Sequence, residues 1–278
     1  MHKSGFTHLA IIFLICSTLL AIFLLNNTFQ SSSPISVSKL LPTPKPTPIA
    51  NYTPPTLKPS EAYTIIFVGD SMIDNLGENF DYLRQELAAI YPNTVFGLFN
   101  YGYGATNINT LNERLHKETA YRDITRPAIL DREFDIIIIA SFGHNPLSNL
   151  TLDEGLKRHN EILDETILEL VTQKPGTLII FLAEFAPLEN DYAKNVVDLS
   201  QEQRSIWVSE RKAYIQNHIK YAQGHNIPLI NIYEKSLVNG DVELKYISPD
   251  SYIHPSSTGL IFMSKEIADF LHEQSILP

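Results

Sequence analysis

The apolar residues of this chain fall into runs of three kinds. Some are short and continuous. Ile65–Val68 within TIIFVG, the four isoleucines within FDIIIIAS (Phe134–Ser141) and TLIIFL (Thr177–Leu182) show no polar alternation, as parallel strands covered on both faces require. Thr94–Asn100 (TVFGLFN) and Pro228–Ile232 predict two more strands. Between these blocks apolar residues recur at helical spacing. Phe80, Leu83, Leu87 and Ile90 predict a helix closed by Pro92, and Thr106–Glu118 predicts another. Leu156, Ile162, Leu163, Ile167, Leu170 and Val171 form the apolar side of a long helix that ends before Pro175-Gly176. Gln201–Gln223 is helical up to the Gly224 stop, and Ser257–Glu273 is the last helix. Five strands alternating with helices predict an α/β domain built on a five-stranded parallel sheet.

The third kind of run is Leu9–Leu25, seventeen residues without a charge. With Phe6 and Thr7 it reaches membrane-spanning length, and no small-x-small cleavage site follows at Asn26–Gln30. An uncleaved transmembrane signal anchor over residues 1–30 is expected, with a cleaved signal peptide as its rival. Ile15 is too large for lipoprotein processing at Cys16. Lys3 on the near flank, with Lys39 the next base beyond, leaves the N-terminus cytoplasmic and the rest extracytoplasmic. Residues 31–60 hold eight of the seventeen prolines, which predicts an extended stalk before a domain at 61–278.

Charge narrows the partners. The net −10 conceals a basic N-terminal segment: residues 1–60 carry four lysines and no acid, leaving 17 bases against 31 acids in the remainder. Nucleic acid is excluded as a partner for so acidic a domain. One cysteine allows neither an intramolecular disulfide nor a thiolate metal cluster. No paired-ligand spacing calls for a metal, and no glycine-rich fingerprint follows the first strand, so no cofactor is expected.

The candidate chemistry gathers beyond the strands. Gly69-Asp70-Ser71 ends the first strand, where open α/β sheets bind ligands and where a serine followed by a helix faces the crevice. Asn100-Tyr101-Gly102-Tyr103-Gly104 follows the second strand, and Gly143-His144-Asn145 follows the third. Asp250-Ser251-Tyr252-Ile253-His254-Pro255 precedes the last helix. Together they offer a nucleophile (Ser71), a base (His254), an orienting acid (Asp250) and donors for a developing oxyanion (Ser71 N–H, Gly104 N–H and the Asn145 amide). Asp70 reads as a structural partner beside the nucleophile, and His144 as pocket lining or a solvent-exposed residue. Asp74, Glu78 and Asp81 read as a solvated helix start, and Gly102 and Gly104 as turn residues.

The ordered set GDS, N-x-G-x-G, G-x-N and D…H-P resembles the SGNH (GDSL-type) hydrolase superfamily over residues 62–273. The resemblance implies a flavodoxin-like three-layer α/β/α sandwich and a metal-free serine esterase, with Ser71 as nucleophile and His254 as base. Two positions depart from the family pattern. Ser251 stands where the family has its acid, with Asp250 one residue earlier, and Pro146 follows Asn145 where the family has Asp. The expectation is therefore a membrane-anchored esterase using Ser71, His254 and Asp250, or a Ser–His dyad. Its substrate would be a small-molecule or glycan ester, with O-acyl groups of a cell-surface glycan one instance. An O-acyltransferase on the same residues and a non-catalytic binding domain of the same fold remain as alternatives.

Overall fold

The computed structural model describes residues 51–278. The expected anchor and residues 31–50 of the expected stalk lie outside the described residues. Among the described residues, no helix is long and apolar enough to cross a membrane.

In chain order, β1 (Ala62–Gly69) turns into one helical turn, α1 (Ser71–Asp74), and then α2 (Asp81–Ile90). β2 (Val95–Gly102) leads to α3 (Leu111–His116) and a hairpin of β3 (Thr119–Tyr121) and β4 (Ile124–Arg126). β5 (Ile136–Ala140), α4 (Leu152–Gln173), β6 (Leu178–Ala183), α5 (Gln201–Gly224) and β7 (Leu229–Asn231) follow. The chain closes through α6 (Ile232–Lys235), the short pair β8 (Leu237–Val238) and β9 (Asp241–Val242), and α7 (Ser257–Glu273).

Five of these strands form a parallel sheet in the order β2-β1-β5-β6-β7. Successive residues of each strand face opposite layers. Ile65, Phe67, Ile136, Ile138 and Ile180 pack with Leu83 and Leu87 of α2 and Met263, Ile267 and Leu271 of α7. Ile66, Val68, Ile137, Ile139 and Phe181 pack with Leu111 and Leu115 of α3, Ile162, Leu163 and Ile167 of α4, and Tyr214 of α5. Both faces being covered is the physical reason the strands carry continuous apolar runs. Capping boxes start the two longest helices, Thr151 with Glu154 at α4 and Ser200 with Gln203 at α5.

Three segments differ from the sequence-based expectation. Residues 106–118 divide into an extended start, a 3₁₀ turn at Ile108–Thr110 and the short α3. The hairpin that follows has no counterpart in the apolar periodicity, because its strands are three residues long and mix exposed, half-buried and buried positions without a repeating pattern. The domain also begins earlier than residue 61. Tyr52 is buried, its hydroxyl accepts from Ile179 N–H at 2.9 Å, and its own N–H donates to His225 C=O at 2.8 Å. Leu57 is buried as well. This stretch carries neither helix nor strand, and it lies against the domain.

The topology sets the site. From β1 the chain steps outward to β2, then crosses back over β1 to β5 and continues the other way, so the direction reverses between β1 and β5. The carboxyl ends of those two strands flank the crevice where such sheets bind ligands.

Candidate active site

Ser71 opens α1 directly after β1, and Asp70 caps that turn by accepting from Met72 N–H at 2.9 Å. The turn lies hard against β2. A Cβ on Gly102 would meet the backbone N of Asp74 at 2.3 Å, so glycine is required there for close approach and not for a positive φ. Asn100 staples the same turn, donating to Ile73 C=O and Gly77 C=O at 3.0 Å each. Arg114 of α3 is fully buried and joins the two strand ends, donating to Gly69 C=O at 2.5 Å and Tyr101 C=O at 2.7 Å. Burial lowers its pKa to about 10.

Asn145 comes from the loop after β5. Its amide Nδ2 donates to Asp70 Oδ2 at 2.9 Å, which fixes the side chain beside the nucleophile and leaves a second N–H for another acceptor. Asp70 is fully buried. Burial raises its pKa, while the Met72 N–H, the Asn145 amide and the Arg114 guanidinium pull the other way. Below the same loop, Glu184 follows β6, fully buried and bonded by the Ser141 hydroxyl, which also accepts from Gly143 N–H at 3.1 Å. Burial, and then the nearby Asp70 charge, raise the Glu184 carboxyl well above its ordinary range.

His254 reaches the crevice from the loop before α7, half-buried. Burial lowers its pKa, against the pull of Asp70 and Asp74. The Ser251 Oγ lies 3.4 Å from His254 Nδ1 and accepts the N–H groups of Ile253 and His254 at 3.2 Å each. Asp250, expected to orient the imidazole, does not reach it. Its carboxylate is exposed and accepts from Ser248 Oγ at 3.3 Å. The physical reason is the turn itself: residue 251 points inward to cap two amides, and its predecessor points to solvent.

Ser71, Gly104, Asn145 and His254 line one cavity of about 540 Å³, and Asp74, Tyr121, Arg122, Tyr192, Trp207 and Arg211 complete much of its wall. His144 is also at the wall, buried and structural. Burial lowers its pKa to about 3, so the neutral ring donates from Nε2 to Phe185 C=O at 2.9 Å and accepts at Nδ1 from the Tyr192 hydroxyl at 3.0 Å. Arg211 fixes Tyr192 in turn, donating from Nε to its hydroxyl at 3.1 Å while lying 4.5 Å from the Trp207 ring centroid. Asp74 is no solvated helix start. Its side chain is 11% exposed and accepts from the Tyr121 hydroxyl at 2.9 Å and Arg122 at 2.8 Å. Among the described residues no group of three or more His, Cys, Asp or Glu is placed to hold a metal ion.

The sequence motifs place Ser71, Gly104, Asn145 and His254 together and miss most of the remaining wall. Tyr121 and Arg122 lie in the hairpin, whose two-residue tip Arg122-Asp123 lacks the glycine that marks such turns. Tyr192, Trp207 and Arg211 come from the loop after β6 and from α5, where helical spacing alone does not single them out.

No family model matches the chain, and no curated protein sequence does. Solved structures do. They include the lipase/acylhydrolase from Enterococcus faecalis, at 18% identity and a TM-score of 0.55 over 76% of this chain and 96% of that one. A G-D-S-L-family lipolytic protein from Desulfitobacterium hafniense matches at 14% identity and 0.52, over 75% and 99%. The acetylxylan esterase Axe2 from Geobacillus stearothermophilus matches at 16% identity and 0.50, over 75% and 94%. What these proteins share with the chain is the fold.

Proposed function

We propose that this domain, carrying the fold of the SGNH hydrolases, is a serine esterase acting through an acyl-enzyme. The observation that carries the reading is the convergence of Ser71, Gly104, Asn145 and His254 on one cavity at the point where strand order reverses. In this reading His254, held neutral by burial, takes the Ser71 proton as Oγ attacks the ester carbonyl carbon. The carbonyl oxygen becomes an oxyanion and receives hydrogen bonds from Ser71 N–H, Gly104 N–H and the free N–H of the Asn145 amide. Collapse expels the alcohol, which takes the proton from His254 and leaves Ser71 acylated. Water, deprotonated by the same histidine, then releases the acid and restores the enzyme.

Orientation of the base comes from the Ser251 hydroxyl and the loop backbone, with no carboxylate on Nδ1. The site thus works as a Ser–His dyad, and Asp250 has no catalytic role. For the substrate class, acetyl esters of sugars are the first choice. One structural neighbour is named as an acetylxylan esterase, and Tyr121, Tyr192 and Trp207 give the cavity aromatic walls. On this reading Leu9–Leu25 anchors the domain outside the membrane, where glycans of the cell surface are within reach.

The test is acetate release from acetylated xylo-oligosaccharides and from p-nitrophenyl acetate. Wild-type turnover with a loss of about 10³-fold or more in both Ser71→Ala and His254→Ala supports the reading. Equal rates in wild type and Ser71→Ala overturn it.

A further inference from the structure

The Gly104 N–H has an occupant. It donates to the Tyr121 hydroxyl oxygen at 2.9 Å, and that hydroxyl donates its own proton to Asp74 Oδ2 at 2.9 Å. A Cβ built on Gly104 would stand 2.7 Å from the Tyr121 oxygen and 3.8 Å from Ser71 Cβ, so both residues border Gly104 in the cavity that Ser71 lines. In the esterase reading this N–H receives the substrate's oxyanion. A tyrosine oxygen now fills that seat.

The element that carries Tyr121 is suited to yielding it. The hairpin has three-residue strands and no third strand, an arrangement of marginal stability on its own. Its tip holds Arg122 and Asp123 at φ of 48° and 61°, left-handed backbone in residues other than glycine. Apart from the ion pair of Arg126 with Glu78 at the end of β4, what fixes it are contacts at the site: Tyr121 stacked on Tyr103 at 4.8 Å, the Tyr103 hydroxyl 2.7 Å from Thr119 Oγ1, and Tyr121 and Arg122 both on Asp74.

Resting on the esterase reading, we infer that Tyr121 is a specificity residue: substrate carbonyl oxygen displaces its hydroxyl from Gly104, and Asp74 then selects esters whose alcohol half bears a free hydroxyl. When Tyr121 withdraws, the nearly buried Asp74 carboxylate loses a donor. An ester whose alcohol half bears a neighbouring hydroxyl, as a partly acetylated sugar does, supplies a replacement. An aryl or simple alkyl ester leaves the carboxylate short of one hydrogen bond. A site that must satisfy a buried polar group discriminates against analogues lacking the matching hydroxyl. Arg122, exposed on its outer side, stays on Asp74 in either case.

The experiment compares kcat/KM for acetylated xylo-oligosaccharides and for p-nitrophenyl acetate in wild type, Tyr121→Phe and Asp74→Ala. Tyr121→Phe empties the seat for either substrate, so both values rise by about 3- to 10-fold, the worth of one net hydrogen bond. Asp74→Ala removes the selecting acceptor, so the ratio of sugar ester to aryl ester falls by about tenfold. Unchanged values in Tyr121→Phe overturn the displacement. A loss of about 10²-fold on both substrates also overturns it, by making Tyr121 an oxyanion donor. An Asp74→Ala variant that keeps the wild-type ratio overturns the selection. Wild-type protein inert on both esters overturns the esterase reading and this inference with it, whereas an active wild type confines any failure to Tyr121 and Asp74.

Discussion

His254 Nδ1 faces the Ser251 hydroxyl at 3.4 Å, and the residue before Ser251 turns its carboxylate to solvent. A hydroxyl at that distance steers the imidazole weakly and adds no charge to stabilise the imidazolium. Asp250→Asn therefore leaves kcat within about twofold of wild type, and Ser251→Ala lowers it by less than about tenfold, well short of the loss on removing a triad carboxylate. Ser251→Asp supplies the missing charge and moves the acid limb of the kcat/KM profile up by about one pH unit or more. Steady-state kinetics between pH 4 and 8 check all three.

The Asn145–Asp70 bond makes the amide a preorganised donor. Asn145→Ala lowers kcat by about 10²–10³-fold with the fold intact, as loss of one oxyanion donor does. A change confined to KM would assign Asn145 to ground-state binding instead.

Much of this arrangement was legible in the chain. Continuous apolar runs such as Ile136–Ile139 identify a strand covered on both faces without any tertiary information, and each such strand marks where its loop motif emerges. Ser71, Gly104, Asn145 and His254 stand out that way, and they line one cavity. For Asp250, which the sequence leaves open between orienting acid and bystander, a one-residue displacement looks small in sequence, yet in this tight turn it directs the carboxylate to solvent. The part played by Gly102 is not legible in the chain, since close packing of β2 on α1 is a tertiary fact. Tyr121 and Asp74 were invisible as a pair: they are 47 residues apart, and a short hairpin without glycine at its tip sets no apolar period.

Burial of His159 makes stability depend on pH. The ring is fully buried in α4, neither nitrogen has a hydrogen-bond partner among the described residues, and burial lowers its pKa to about 3. Between that value and the unfolded value near 6.5 the unfolded chain binds the extra proton, so this group's contribution is full above about pH 6.5 and shrinks as pH falls toward 3. His159→Leu removes this group's share of the dependence, about 2 kcal/mol at pH 5 relative to pH 7, and leaves that of the buried His144 and His218 in place. Urea denaturation of both proteins at the two pH values measures it.

The segment before β1 belongs to the fold. Tyr52→Phe deletes a hydroxyl that accepts from Ile179 N–H and costs about 1–3 kcal/mol, because that buried donor loses its partner. A chain beginning at Glu61 loses Tyr52 and Leu57 together and unfolds at lower urea than one beginning at Asn51. Matched denaturation midpoints would contradict this.

The most direct measurement is labelling by a fluorophosphonate, which reacts only where a serine oxygen, a base and an oxyanion pocket coincide. The expected result is stoichiometric modification, located at Ser71 by peptide mass spectrometry, abolished in Ser71→Ala and slowed by about 10²-fold or more in His254→Ala. Folded protein that takes up no label, or takes it equally in Ser71→Ala, would contradict the esterase account.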